Sequence, residues 1–183
     1  FAFTIRTSGA PQRASTFMSS QLLATRSDQQ DNSTVQHVDS SSLPNWMRRE
    51  RTKVLNNQTT PNASGKAIVY WMQRDVRTVD NWALLYANWL AELHHVPLQV
   101  MYCLHPPPTE ELESAFPPKI MLETKMTHRH GSFMLGGLKC VHADLKARNI
   151  PLHVLMPSSP ATVGHAVLQL FNTVQPAMVI CDF

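Results

Sequence analysis

Three ionic residues, Arg74, Asp75 and Arg77, follow almost without a spacer on the apolar run Ile68 to Met72 ("IVYWM"). Guanidinium groups beside a carboxylate can grip an anionic ligand, dock another domain, or simply pair on the surface, where the pairing contributes little. Metal chemistry has weaker support. Of the nine histidines, His94 and His95 are adjacent and His128 and His130 are two apart, and neither spacing sets both rings on one helical face. His105, at the end of a second apolar run, is better placed for a ligand, with a solvated loop residue as the alternative. Cys103, Cys140 and Cys181 show no CxxC spacing, which points to buried thiols in a reducing compartment and away from a disulfide framework or a zinc site.

Other chemistries are excluded by what the turns lack. A dinucleotide fold carries G-x-G-x-x-G after its first strand, and the turn after Met72 has no glycine, so NAD or FAD held in that manner is not expected. Gly136 and Gly137 ("LGGLK") fall inside a helical pattern and read as close helix packing rather than a phosphate cradle. Neither a Walker pattern nor G-x-S-x-G is present, which removes the P-loop enzymes and the α/β-hydrolases. A formal charge of +3 permits an acidic partner without demanding one. The run "RRERTK", Arg48 to Lys53, can touch phosphate or stay solvated.

The elements that must position these residues begin after Gly65. At 183 residues and 43% apolar, the chain has room for about one domain. Residues 1–64, rich in Ser, Thr, Gln and Asn, read as a mostly disordered tail, and 65–183 as the folded unit. The start at Phe1 suggests a fragment, with Met18 as a candidate internal start. Phe1 to Ser27 carries three arginines and no acid, the composition of an organellar transit peptide. No apolar run approaches the roughly 20 residues of a membrane helix, so a soluble protein is expected.

"AIVYWM" (Ala67 to Met72), "LQVMYCL" (Leu98 to Leu104), "LHVLM" (Leu152 to Met156) and "AMVIC" (Ala177 to Cys181) read as strands, mostly covered on both faces. Between the first two, Trp82, Leu85, Tyr86, Trp89, Leu90 and Leu93 make one helical stripe capped by Asp80. A second helix, about 132–149, shows Met134, Leu138, Val141 and Leu145, and follows the Pro-rich loop "HPPPTEELESAFPPK". A third, begun by Ser159 and Pro160 and stopped by Pro176, shows Val163, Ala166, Val167, Leu170, Phe171 and Val174. The expected fold class is therefore α/β: a doubly wound, Rossmann-like, mostly parallel sheet with helices on both faces. Ligands of such sheets sit off the carboxyl ends of the strands, where Arg74, Asp75 and Arg77 stand.

The stretch "VYWMQRDVRTVDNWALLYA" (Val69 to Ala87) resembles the first strand, turn and helix of the photolyase and cryptochrome family, with its R-D-x-R-x-x-D-N-x-A-L signature after an apolar strand. The Trp-Met ending and "NWALLYA" look like class II cyclobutane pyrimidine dimer photolyases. "RRERTKVLN", "PLQVMYCL", "RHGSFMLGGL", "IPLHVL" and "VICDF" follow in the family's order. The resemblance covers about Arg48 to Phe183 and departs at the loop from about Pro106 to Thr127, which is longer than usual.

This resemblance implies a light-driven DNA repair enzyme in which reduced FAD, held by a carboxyl-terminal helical domain, passes an electron to a pyrimidine dimer flipped out of UV-damaged DNA. It implies that the present chain stops before the α/β domain is complete, lacks the FAD domain and carries no catalytic residue. The α/β domain of the family is an antenna domain that in many members holds a folate or deazaflavin chromophore. The antenna or domain-interface residues so implied are Met72, Gln73, Arg74, Asp75, Arg77 and Cys103, with Tyr102 and Leu104 beside them. A monomer in a nuclear or other intracellular location is expected, or a mitochondrial or plastid one if the tail is a transit peptide. The readings left open are a cryptochrome-like photoreceptor and a stand-alone α/β module that binds a nucleotide or a partner without catalysis. As an isolated piece the chain is expected to be marginally stable and prone to aggregate.

Overall fold

The computed structural model describes residues 2–5, 38–39, 42–56, 60–104, 128–159 and 162–182. His105, the loop from Pro106 to Thr127 and most of Phe1 to Ser27 lie outside them. In chain order the elements are β1 (Ala2–Ile5), β2 (Thr52–Val54), β3 (Ala67–Met72), α1 (Trp82–Leu93), β4 (Leu98–Cys103), α2 (His128–Ala147), β5 (Leu152–Leu155), α3 (Val163–Val174) and β6 (Pro176–Asp182). A 3-10 turn, Arg49–Arg51, leads into β2.

The strands form one sheet in the order β2-β1-β6-β3-β4-β5. β6, β3, β4 and β5 are mutually parallel, whereas β1 runs antiparallel to β6 and parallel to β2. The chain winds outward from β3 to β5 and then returns across the sheet to β6. Right-handed crossovers therefore set α1 and α2 on one face and α3 on the other. The two apolar clusters match that division. One joins Ile68, Tyr70, Met72, Val100 and Ile180 to Leu84 and Leu90 of α1 and to Leu138, Val141 and Leu145 of α2. The other joins Val69, Met101, Val179 and Cys181 to Val167, Phe171 and Val174 of α3. The doubly wound sheet expected from the alternation is thus present, and all seven residues of β6 are buried, as a central strand requires.

Several local expectations are corrected. Among the described residues before Gly65, Ala2–Ile5 and Thr52–Val54 form β1 and β2, and Met47 and Val54 are buried because two apolar side chains there find the core and the sheet edge, whereas most of the segment read as a disordered tail lies outside the described residues. The stripe proposed for α1 packs only in part, through Tyr86, Trp89 and Leu90. Trp82, Leu85 and Leu93 are 40%, 50% and 52% exposed, while Ala83, Leu84, Tyr86, Ala87, Leu90 and Ala91 are buried. Small residues at i, i+4 and i+8 let the helix lie close to the sheet, so alanine size outweighs tryptophan hydrophobicity. The cap of α1 is Asn81, whose Oδ1 accepts from Leu84 N at 2.9 Å, and Asp80 instead takes a left-handed φ of 51°. Gly136 has open space where a side chain would stand, and Gly137 would meet only Val76 Cγ1 at 3.9 Å, so neither mediates close helix packing. Cys140, expected to be buried, is exposed.

Candidate functional site

β3 and β6 lie side by side where the winding of the sheet reverses, which is the position of the ligand crevice in doubly wound folds. β3 ends at Met72, and the chain then turns through Gln73, Arg74 and Asp75. The neighbouring strand ends at Asp182, 4% exposed, whose carboxylate holds that turn. Oδ1 accepts from Gln73 N at 2.7 Å, and Oδ2 accepts from Asp75 N at 2.7 Å and Arg74 N at 3.2 Å. The Tyr70 hydroxyl donates to the same Oδ2 at 3.0 Å.

Three consecutive backbone N–H groups converging on one anion form the cradle that phosphate occupies in nucleotide-binding turns. Here the chain's own carboxylate fills it. A phosphate bound in the Rossmann manner therefore has no donors left at this turn, which gives a structural reason for the absent glycine signature and speaks against a nucleotide module.

Asn81 closes the arrangement from the helix side. Its Nδ2 lies 2.9 Å from the Tyr70 hydroxyl, 3.0 Å from Asp75 O and 3.1 Å from Arg77 O, while its Oδ1 caps α1. Tyr70 thus accepts from Asn81 and donates to Asp182. Burial, and then the negative charge of Asp182, push the Tyr70 hydroxyl well above the usual phenol range, so it stays a donor. On the outer side of the turn, Thr78 Oγ1 donates to Asp144 of α2.

The six residues proposed from the sequence divide in this frame. Gln73, Arg74, Asp75 and Arg77 are brought together in the turn. Arg74 and Arg77 are exposed, and Arg77 Nη2 lies 3.8 Å from Asp75 Oδ2 with both side chains about half exposed (53% and 48%), a pairing that solvent makes weak. Met72 is fully buried against α1 and α2 and presents nothing to a ligand. Cys103 is 2% exposed and, by strand alternation, on the opposite sheet face from Met72, and burial pushes its thiol up. Tyr102 donates its hydroxyl to Met134 Sδ at 3.1 Å, and Leu104 is half-buried beside it. Sequence reasoning missed Tyr70 and Asp182. The signal available was a lone acid closing an otherwise apolar strand in "VICDF".

The model of the DNA photolyase family matches residues 68–183, from the second residue of β3 past the end of β6. The chain belongs to the DNA photolyase family. Among curated relatives, it is 34% identical over 108 residues to the deoxyribodipyrimidine photo-lyase of Potorous tridactylus, covering 59% of this chain and 18% of that protein. The enzyme of the same name from Oryza sativa subsp. japonica is 37% identical over 106 residues, covering 58% and 18%. That of Methanothermobacter thermautotrophicus is 33% identical over 114 residues, covering 62% and 22%. The chain thus spans about a fifth of the length of these relatives.

The donor set can be tested against the groups such a family implies. FAD does not fit here, because the only cradle for its phosphates at this turn is filled by Asp182. A chromophore with an anionic tail fits better, since the guanidinium groups of Arg74 and Arg77 stand exposed on the rim, the first with no ion pair among the described residues. Within the described residues no three His, Cys, Asp or Glu side chains group to hold a metal, and no helix is long and apolar enough to cross a membrane.

Proposed function

We propose that this chain is the α/β antenna part of a class II-like photolyase, a light-dependent enzyme that splits cyclobutane pyrimidine dimers in UV-damaged DNA. The observation that carries this reading is the family match running unbroken over the four parallel strands, β3 to β6. FAD, the electron donor in such chemistry, is held by a helical domain encoded beyond Phe183. The part described here supplies a chromophore site and a docking face. Arg74 and Arg77 bind the anionic tail of a folate or deazaflavin, and Gln73 and Asp75 shape the turn that presents them. The filled backbone cradle supports this over nucleotide binding, because it leaves only side chains on the rim to contact a ligand.

Sequencing the transcript past the codon for Phe183 tests the whole-protein reading, with continuation into a helical FAD-binding region expected and an immediate stop codon excluding repair by this product. In the extended protein, Arg74→Ala is expected to remove the near-ultraviolet absorbance of the antenna while leaving the flavin spectrum intact. Loss of both spectra would assign Arg74 to domain docking instead.

A further inference from the structure

The segment Trp46 to Lys53 ("WMRRERTK") carries Arg48, Arg49, Arg51 and Lys53 against Glu50 alone, a surplus equal to the formal charge of the whole chain, +3. It is held in place. Met47 is buried in the cluster under α1 and α2, and its N–H donates to Pro44 O at 2.9 Å. Arg51 N donates to Arg48 O at 3.0 Å and Thr52 Oγ1 to Arg49 O at 2.8 Å. Burying Met47 turns its neighbours outward, and all four cationic side chains are exposed. None of them has an ion pair among the described residues.

The same segment places an aromatic ring beside one from α1. Trp46 and Trp82 lie with ring centroids 6.2 Å apart and planes tilted by 38°, and the Arg51 guanidinium carbon sits 5.0 Å from the Trp82 centroid. Despite these contacts the two indoles are 41% and 40% exposed. Two neighbouring, partly exposed indoles, one with a guanidinium over its ring, flanked by cations that have no ion pair among the described residues, match how proteins hold unpaired bases by stacking while tracking the phosphates electrostatically. A duplex fits less well, because its bases are already stacked and cannot reach an indole face. An acidic protein partner would use the charges but leave the paired indole faces unexplained.

We propose that Trp46, Trp82 and Arg51, flanked by Arg48, Arg49 and Lys53, form a stacking platform for single-stranded nucleic acid. The platform is built from a different segment than the Arg74 rim, and it stands whether or not an antenna chromophore binds there.

The test is fluorescence anisotropy of a labelled oligothymidylate with the full chain, together with quenching of the tryptophan emission. With four phosphate contacts, affinity is expected to fall about 50-fold between about 50 and about 200 mM salt. Trp46→Ala is expected to weaken binding at least about fivefold and Trp46→Phe to restore most of it. Arg48→Ala with Arg49→Ala should flatten the salt dependence, and the matching duplex should bind at least about fivefold more weakly than the single strand. The proposal is overturned if no binding is seen at the lower salt, if Trp46→Ala in a chain with unchanged circular dichroism binds as well as the parent, or if duplex binds equally. It is also overturned if phosphatidylserine vesicles displace the oligonucleotide, which would assign the patch to a lipid surface.

Discussion

Asp182 does more for the turn after β3 than any of the charged residues within it. Its two oxygens accept four hydrogen bonds, three from backbone N–H groups of Gln73, Arg74 and Asp75 and one from Tyr70. A carboxylate can do this because it is acceptor-only, whereas the isosteric amide has one acceptor oxygen and would aim an NH₂ at backbone donors. Asp182→Asn is therefore expected to cost about 3 kcal/mol, with the loss read as a lower urea midpoint. Asp144→Asn, whose carboxylate takes an exposed bond from Thr78, should cost less than about 1 kcal/mol and serves as the control. If the two substitutions prove equally mild, the turn is held by the rest of the fold and not by Asp182. The contrast with Arg77 and Asp75 is one of environment, since their half-exposed pairing at 3.8 Å competes with water while the Asp182 carboxylate is largely shielded from it at 4% exposure.

At the scale of elements, the strands were legible because their composition answers one question. Runs such as Ala67–Met72 and, apart from Gln99, Leu98–Cys103 are apolar on both faces, which in a sheet means cover on both sides. The helices α2 and α3 were legible for the complementary reason, since the stripes Met134, Leu138, Val141, Leu145 and Val167, Leu170, Phe171, Val174 are what packs, even though Phe133, Leu135 and Leu168 stand exposed off them. α1 defeated that logic by carrying apolar residues almost all round, so periodicity could not say which face is inward. Side-chain size decided it, with Ala83, Ala87 and Ala91 against the sheet. The cap is local, and Asp80 and Asn81 are adjacent residues that both suit the position, but the turn was hidden because its partner is distant in sequence: Tyr70 meets Asp182 across 112 residues, and no local pattern announces such a contact. The α1 assignment makes a testable distinction. Leu85→Gln, half exposed, should change stability by less than about 0.5 kcal/mol, whereas Ala87→Leu, with no exposure, should cost about 1–3 kcal/mol by overpacking. Thermal melts of the two variants compare the faces directly, and the reverse order would mean that the outer stripe is the packed one.

For the whole molecule, the arrangement of the sheet makes one strand answerable for solubility. β6 is buried at every residue, runs from Pro176 to Asp182 without a basic side chain, and has β3 on one side only. Its other edge is covered by β1, which pairs Ala2 with Asp182, Phe3 with Cys181, Thr4 with Ile180 and Ile5 with Val179. A central-type strand with an uncovered edge presents a row of unpaired backbone donors and acceptors and recruits another chain's edge. The short antiparallel β1 thus blocks an association that the composition of β6 would otherwise favour. Deleting residues 1–6 should leave β3, β4 and β5 folded, because none of them pairs with β1, while releasing the β6 edge. Light scattering behind a sizing column is expected to show the parent chain as a monomer and the shortened chain as dimers or larger species that grow with concentration. A shortened chain that stays monomeric with an unchanged melting temperature would show that β1 contributes nothing to covering the edge. In that case any resistance of the two chains to association would have to come from their surface charge, and raising the salt concentration would aggregate both alike.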